Sequence, residues 1–83
     1  MHVQLELYAS LMKHLPNNAD KHRAKVEMPE GSTPFQLLDK FAVPREQAHL
    51  VLRNGVYLHH QQRDTPCMQD GDVIAVWPPV AGG

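Results

Sequence analysis

Only one stretch of this chain can start, sustain and stop an α-helix, and that limits the fold more than any other feature. Thr33 suits the N-cap, Pro34 the first helical position, and Gln36 completes a Thr-x-x-Gln capping box. Pro34, Leu37, Leu38 and Phe41 then recur at i, i+3, i+4 and i+7 as one apolar stripe, and Val43-Pro44 ends the run. The spacing predicts a helix over 34–42. One helix this short cannot build a bundle, so its stripe must cover a sheet.

The rest of the chain supplies that sheet. Val3-Gln4-Leu5-Glu6-Leu7-Tyr8 keeps a period of two, with Val3, Leu5 and Leu7 facing inward and His2, Gln4, Glu6 and Tyr8 outward. Residues 10–15 have room for a turn or two of helix before Pro16-Asn17-Asn18. A short strand is expected at 24–28, closed by Pro29-Glu30-Gly31, and another at 49–53 with Leu50 and Leu52 on one face. Asn54-Gly55 signals a tight turn, after which Val56-Tyr57-Leu58 resumes. Asp70-Gly71 marks a further turn before a strand rich in β-branched residues at 72–77. The order β, β, α, β, short β, β describes an α+β fold with a helix on one face of a sheet.

Composition narrows the function classes. Eighty-three residues without an internal repeat or linker make a single domain, which buries about 60% of its unfolded surface. A formal charge of -1 gives no basic field for a polyanion, so no nucleic-acid partner is expected. The longest apolar run, Val73-Ile74-Ala75-Val76-Trp77, falls far short of the roughly 20 residues of a membrane span. The alternating opening residues carry no signal-peptide pattern, and the single Cys67 cannot make an internal disulfide. A cytoplasmic location is the expectation.

Catalytic motifs are missing. The chain has no GxxxxGK phosphate loop, no GxSxG elbow and no HExxH, so no catalytic residue is assigned. Ser10 and Ser32 sit where helix starts want them, and Cys67 reads as an inert thiol. Six histidines (His2, His14, His22, His49, His59 and His60) raise a metal hypothesis. None forms an i, i+4 helical pair and no second cysteine completes a zinc set, so they read as surface residues and no metal site is assigned.

The last residues carry the chemistry instead. Val76-Trp77-Pro78-Pro79-Val80-Ala81-Gly82-Gly83 begins in a strand, passes two prolines and ends in two glycines. Proline lacks an N–H and fixes φ, so Pro78-Pro79 is expected to leave the ladder and project as a stiff stalk. The domain would then span 1–77 and a projecting tail 78–83. Beyond the stalk the side chains taper through Val80 and Ala81 to Gly82 and Gly83, a shape that threads a narrow channel. A terminal carboxylate with a pKa of about 3.5 is ionised at neutral pH and can attack the α-phosphorus of ATP. Because this chain has no phosphate cradle, ATP and Mg²⁺ would be held by a partner enzyme. A frayed terminus can also end in glycine and proline; the preceding strand and stiff stalk favour the functional reading.

These residues resemble the MoaD/ThiS family of ubiquitin-like sulfur carriers. Asp70-Gly71-Asp72 through Trp77 and the Pro78-Pro79-Val80-Ala81-Gly82-Gly83 ending fit the family's turn, strand and Pro-Pro-Val-x-Gly-Gly tail. Asn54-Gly55 fits its Val-Asn-Gly turn, with Arg53 where an apolar residue is more usual, and Gly31-Ser32-Thr33 through Leu37-Leu38 fits its helix opening. The resemblance implies a β-grasp fold and a carrier that is a co-substrate with no turnover of its own. It implies adenylation of Gly83 by a ubiquitin-activating-type adenylyltransferase. A sulfurtransferase or cysteine desulfurase system would then form a thiocarboxylate, and sulfur would pass to an acceptor such as a molybdopterin synthase large subunit. The ending looks most like the molybdopterin-type carrier, although the segment between Phe41 and His49 is short for that subtype. A thiamine-pathway carrier, a modifier forming isopeptides with lysines, and a non-covalent β-grasp module stay open as alternatives.

The partner surface follows from strand alternation. Tyr8 faces away from Val3, Leu5 and Leu7, and if Ile74 and Val76 face the helix, Ala75 and Trp77 face outward. Tyr57 is expected to join them, so that three aromatics form an exposed patch beside the root of the tail. A free monomer that forms transient hetero-complexes is the expected state.

Overall fold

The computed structural model describes residues 1–80. In chain order the strands are β1 (His2–Leu7), β2 (Arg23–Glu27), β3 (Leu50–Arg53), β4 (Val56–Tyr57) and β5 (Val73–Trp77), and the helix α1 (Pro34–Lys40) lies between β2 and β3. Short 3-10 turns at Ala9–His14, Arg45–Gln47 and His60–Asp64 fill the connections.

The five strands form one mixed sheet in the order β2-β1-β5-β3-β4. β1 and β5 run parallel at its centre, with Leu5 opposite Ile74 and Leu7 opposite Val76. β2 pairs antiparallel with β1, and β3 pairs antiparallel with β5 and β4. Parallel neighbours need a long crossover, and here most of the chain lies between β1 and β5. This is the β-grasp architecture, a mixed sheet packed on one main helix.

Alternation decides which face the helix covers. Val3, Leu5 and Leu7 of β1, Ala24 and Val26 of β2, Val51 of β3, and Ile74 and Val76 of β5 are all buried. Above them pack Phe35, Leu37 and Leu38 of the helix. Fully burying such a side chain contributes about 1.5–3 kcal/mol. Pro34 is buried with this face, whereas Phe41 is only half-buried. Phe35, off the expected stripe, is buried as well, with the Arg45 guanidinium 4.5 Å above its ring and the His60 imidazole edge-on at 5.4 Å.

The helix ends are set by local chemistry. The Thr33 hydroxyl accepts from the Gln36 backbone N–H at 3.1 Å, and Gln36 Oε1 accepts from the Thr33 N–H at 2.9 Å. The helix stops at Lys40, two residues before the expected 42, because Ala42 adopts φ 58°. Its N–H donates to the Asp39 carbonyl while the Val43 N–H reaches back to Leu38, the two bonds of a Schellman closure. Alanine thus occupies a position that usually belongs to glycine.

A polar latch joins the β3–β4 turn to the start of β5. Asn54 and Gly55 have φ of 51° and 82°, the paired positive values of the tightest hairpin turn. Asn54 Oδ1 accepts from the Val73 N–H and its Nδ2 donates to Asp72, while Arg53 Nε donates to Asp72 at 2.7 Å. Arg53 is therefore the ionic partner of a buried carboxylate.

Candidate functional site

The site is built where β5 ends. The Trp77 carbonyl accepts from the His49 N–H at 3.0 Å on one side, and the Val76 carbonyl accepts from the Tyr8 N–H at 3.1 Å on the other. The root of the tail is therefore held between the end of β1 and the start of β3. The strand ends at Trp77, as a proline without an N–H requires. Pro78 itself is buried, however, and only Pro79 and Val80 are exposed. Pro78, expected as the first residue of the tail, is thus packed on the body, and exposure begins at Pro79. Losing the ladder hydrogen bond does not force an apolar ring into water. Val80 is 75% exposed, as a stalk leaving the body would be. Ala81, Gly82 and Gly83 lie outside the described residues, and so does the carboxylate on which the expected chemistry depends.

Beside this root two rings lie face to face. The Tyr8 and Trp77 centroids are 4.3 Å apart with planes 1° from parallel. His22 extends the column on Tyr8, at 4.6 Å and 31°. The Tyr8 hydroxyl donates to Glu6 Oε1 at 2.8 Å, and Gln4 Nε2 donates to the other oxygen of that carboxylate at 2.6 Å. Burial lifts the Tyr8 phenol above its usual pKa, the Glu6 hydrogen bond and charge add to the rise, and the Arg23 charge opposes it. Tyr8 therefore stays neutral and acts as a donor. Ala9 follows immediately with φ 52°, turning the chain away from the sheet.

Register places the other expected residues. Ala75 is opposite Glu6 on one side and Leu52 on the other, and Leu52 is opposite Tyr57, so all four share the face that carries Trp77. Ala75 does face away from the helix, but it is only 7% exposed. It does not belong to an exposed patch: a methyl group on a central strand is shaded by the longer Glu6 and Leu52 beside it. Leu50 and Leu52, half-buried, supply the apolar surface expected there. Tyr57 is 45% exposed, yet its ring pairs edge-on with His59 at 5.1 Å and not with the stacked pair. The structure thus brings Tyr8 and Trp77 together and holds Tyr57 apart on the edge strand β4.

Tyr57 is anchored by a residue that pattern reading missed. The buried Arg63 donates from Nε to the Leu58 carbonyl at 3.0 Å and from Nη1 to the Ala48 carbonyl at 2.8 Å. Its Nη2 lies 3.3 Å from the Tyr57 hydroxyl. No sequence signal marks Arg63, which sits in the polar run His59-His60-Gln61-Gln62-Arg63-Asp64.

Among the described residues, no three His, Cys, Asp or Glu side chains are grouped closely enough to share a metal ion. His22, His59 and His60 pack against aromatic rings. Cys67 is half-buried, with Sγ 3.6 Å from the Gln62 carbonyl. No helix among the described residues is long and apolar enough to cross a membrane.

The model of the ThiS family matches residues 7–83, from the last residue of β1 to the end of the tail. No curated protein matches the chain significantly. Among solved structures, SAMP1 from Haloferax volcanii superposes with a TM-score of 0.67 at 23% identity, covering 100% of both chains. A Pyrococcus furiosus protein assigned as molybdopterin converting factor, subunit 1, gives 0.65 at 22% identity, covering 95% of this chain and 98% of that one. The Helicobacter pylori complex of molybdopterin-converting factor subunits 1 and 2 gives 0.59 at 20% identity, with 100% of both chains covered. At these identities the superpositions establish a shared fold.

Proposed function

The chain belongs to the ThiS family, within the MoaD/ThiS ubiquitin-like carriers, and from that premise we propose that it carries sulfur on the carboxylate of Gly83. The observation that supports this most is the family match itself, which runs through the diglycine to residue 83. The carboxylate oxygen attacks the α-phosphorus of ATP, pyrophosphate leaves, and an acyl-adenylate forms. The terminal sulfur of a persulfide then displaces AMP to form an acyl disulfide, a thiol cleaves its S–S bond and ends as a disulfide, and the released thiocarboxylate passes its sulfur to an acceptor.

Each step needs a partner, since this chain has no phosphate-binding loop. A ubiquitin-activating-type adenylyltransferase would hold ATP and Mg²⁺, and a sulfurtransferase or cysteine desulfurase would supply the sulfur. The chain itself contributes no catalytic group: it is a co-substrate of the cytoplasm. The molybdopterin pathway is favoured by the Pro-Pro-Val-x-Gly-Gly ending and by likeness to subunit 1 of the Helicobacter pylori complex. The acceptor would then be a large subunit of the molybdopterin synthase kind. The root geometry suits this task. Pro78 anchors the tail, Pro79 and Val80 stand clear, and the Tyr8–Trp77 pair with Leu50 and Leu52 offers a docking face beside it.

The test is ATP–pyrophosphate exchange with the adenylyltransferase of the same organism. Wild type should support exchange, whereas deleting Gly83 or adding one residue after it should abolish it. Exchange by the deletion variant at the wild-type rate would refute the assignment of Gly83.

A further inference from the structure

The same sheet face has a charged side. Three of the four arginines are engaged within the domain: Arg45 with Asp39, Arg53 with Asp72, and Arg63 with buried carbonyls. Arg23 is the fourth. It is exposed on the edge strand β2 and directly opposite Glu6, its natural counter-ion. Both Glu6 oxygens are already taken, by the Tyr8 hydroxyl and the Gln4 amide. The Arg23 guanidinium instead lies 3.4 Å from His22 Nε2. Lys25, two residues on, is exposed opposite Gln4 and lines a shallow groove with His2, Gln4, Asp70 and Val73, in which the Asp70 carboxylate accepts from the His2 N–H. Among the described residues neither cation is ion-paired.

One cross-strand row therefore runs from Arg23 through Glu6, Ala75 and Leu52 to Tyr57, basic at one end and apolar at the other. We propose that Arg23 and Lys25 form the cationic edge of the docking face, and that the enzyme adenylating the tail presents carboxylates against them. This inference rests on the carrier reading above. The apolar half would supply the desolvated contact, while exposed charges at the rim mainly steer encounter and fix orientation. Cations on an edge strand also discourage strand-to-strand aggregation, and the experiment separates that role from docking.

The experiment measures how ATP–pyrophosphate exchange by the same organism's adenylyltransferase depends on carrier concentration, at low and high NaCl. Carriers compared are wild type, Arg23→Glu, Lys25→Glu, the double variant, and Lys40→Glu on the helix. The double variant should raise the half-saturating concentration about tenfold with the same maximal rate, as rim charges act on association. Wild type should lose apparent affinity as salt rises, and Lys40→Glu should match wild type. Equal half-saturation for wild type and the double variant, or a salt-insensitive wild type, would overturn the proposal while exchange itself upholds the carrier reading. The salt series needs no substitution, so a salt-insensitive wild type overturns the proposal even if a variant folds poorly. No exchange from wild type at any concentration would remove the carrier reading and this inference together.

Discussion

The indole of Trp77 lies flat on the phenol of Tyr8, 4.3 Å between centroids, and so ties the residue before the tail to the end of the first strand. Each ring hides one face of the other, which leaves both half-buried. Trp77→Ala should weaken binding to the adenylating enzyme by about 1–3 kcal/mol. Stacked pairs couple by about 0.5–1.5 kcal/mol, so Tyr8→Ala and Trp77→Ala together should depart from additivity by that amount. Titration calorimetry on the four proteins of the cycle checks this. Additive losses would mean that the rings act independently.

Asp72 should govern acid stability. Burial raises its pKa, but hydrogen bonds from Asn54, the Gln69 N–H and Arg53, with the Arg53 charge, outweigh it and hold the carboxyl below the usual carboxylate range. A folded-state pKa below the unfolded one contributes stability that is complete above the unfolded value. That contribution disappears as pH falls through the lowered folded value. As pH drops through the carboxylate range, from about 6 to about 2, melting temperatures should fall less steeply in Asp72→Asn than in wild type. Parallel curves would contradict this.

Ala42 holds a left-handed conformation, φ 58°, at the end of the helix. Glycine adopts it without the Cβ penalty but loses more entropy on folding. The net expectation for Ala42→Gly is a gain of up to about 1 kcal/mol, read from denaturant unfolding.

Arg63 is the opposite case, a buried cation spent on carbonyls. Arg63→Met would leave the Ala48 and Leu58 carbonyls without this donor, and should cost about 2–4 kcal/mol. It should also free the Tyr57 ring, giving a narrower spread of its NMR line positions. An unchanged melting temperature would show that water replaces the guanidinium.

What the sequence made legible was local. Thr33 and Gln36 are three residues apart and their bonds close within one turn, so the capping box could be read directly. The alternation of Val3, Leu5 and Leu7, and the turn at Asn54-Gly55, are local in the same sense. The misses come from contacts between distant segments. Ala75 is shaded by Glu6 and Leu52, brought beside it only by sheet register, and Phe35 is covered by Arg45 and His60. Arg53 looks out of place until β5 brings Asp72 alongside. The buried ring of Pro78 belongs here too: its missing N–H predicts the end of the strand but says nothing about burial.

Intact-mass analysis of the carrier, after incubation with its adenylating enzyme, ATP and the sulfur-donating system, tests the central claim most directly. The account predicts a gain equal to the difference between sulfur and oxygen, mapped to the C-terminal peptide and absent without ATP. An unchanged mass under conditions in which the enzyme turns over, or recovery of the chain only as conjugates linked to lysines of other proteins, would contradict it.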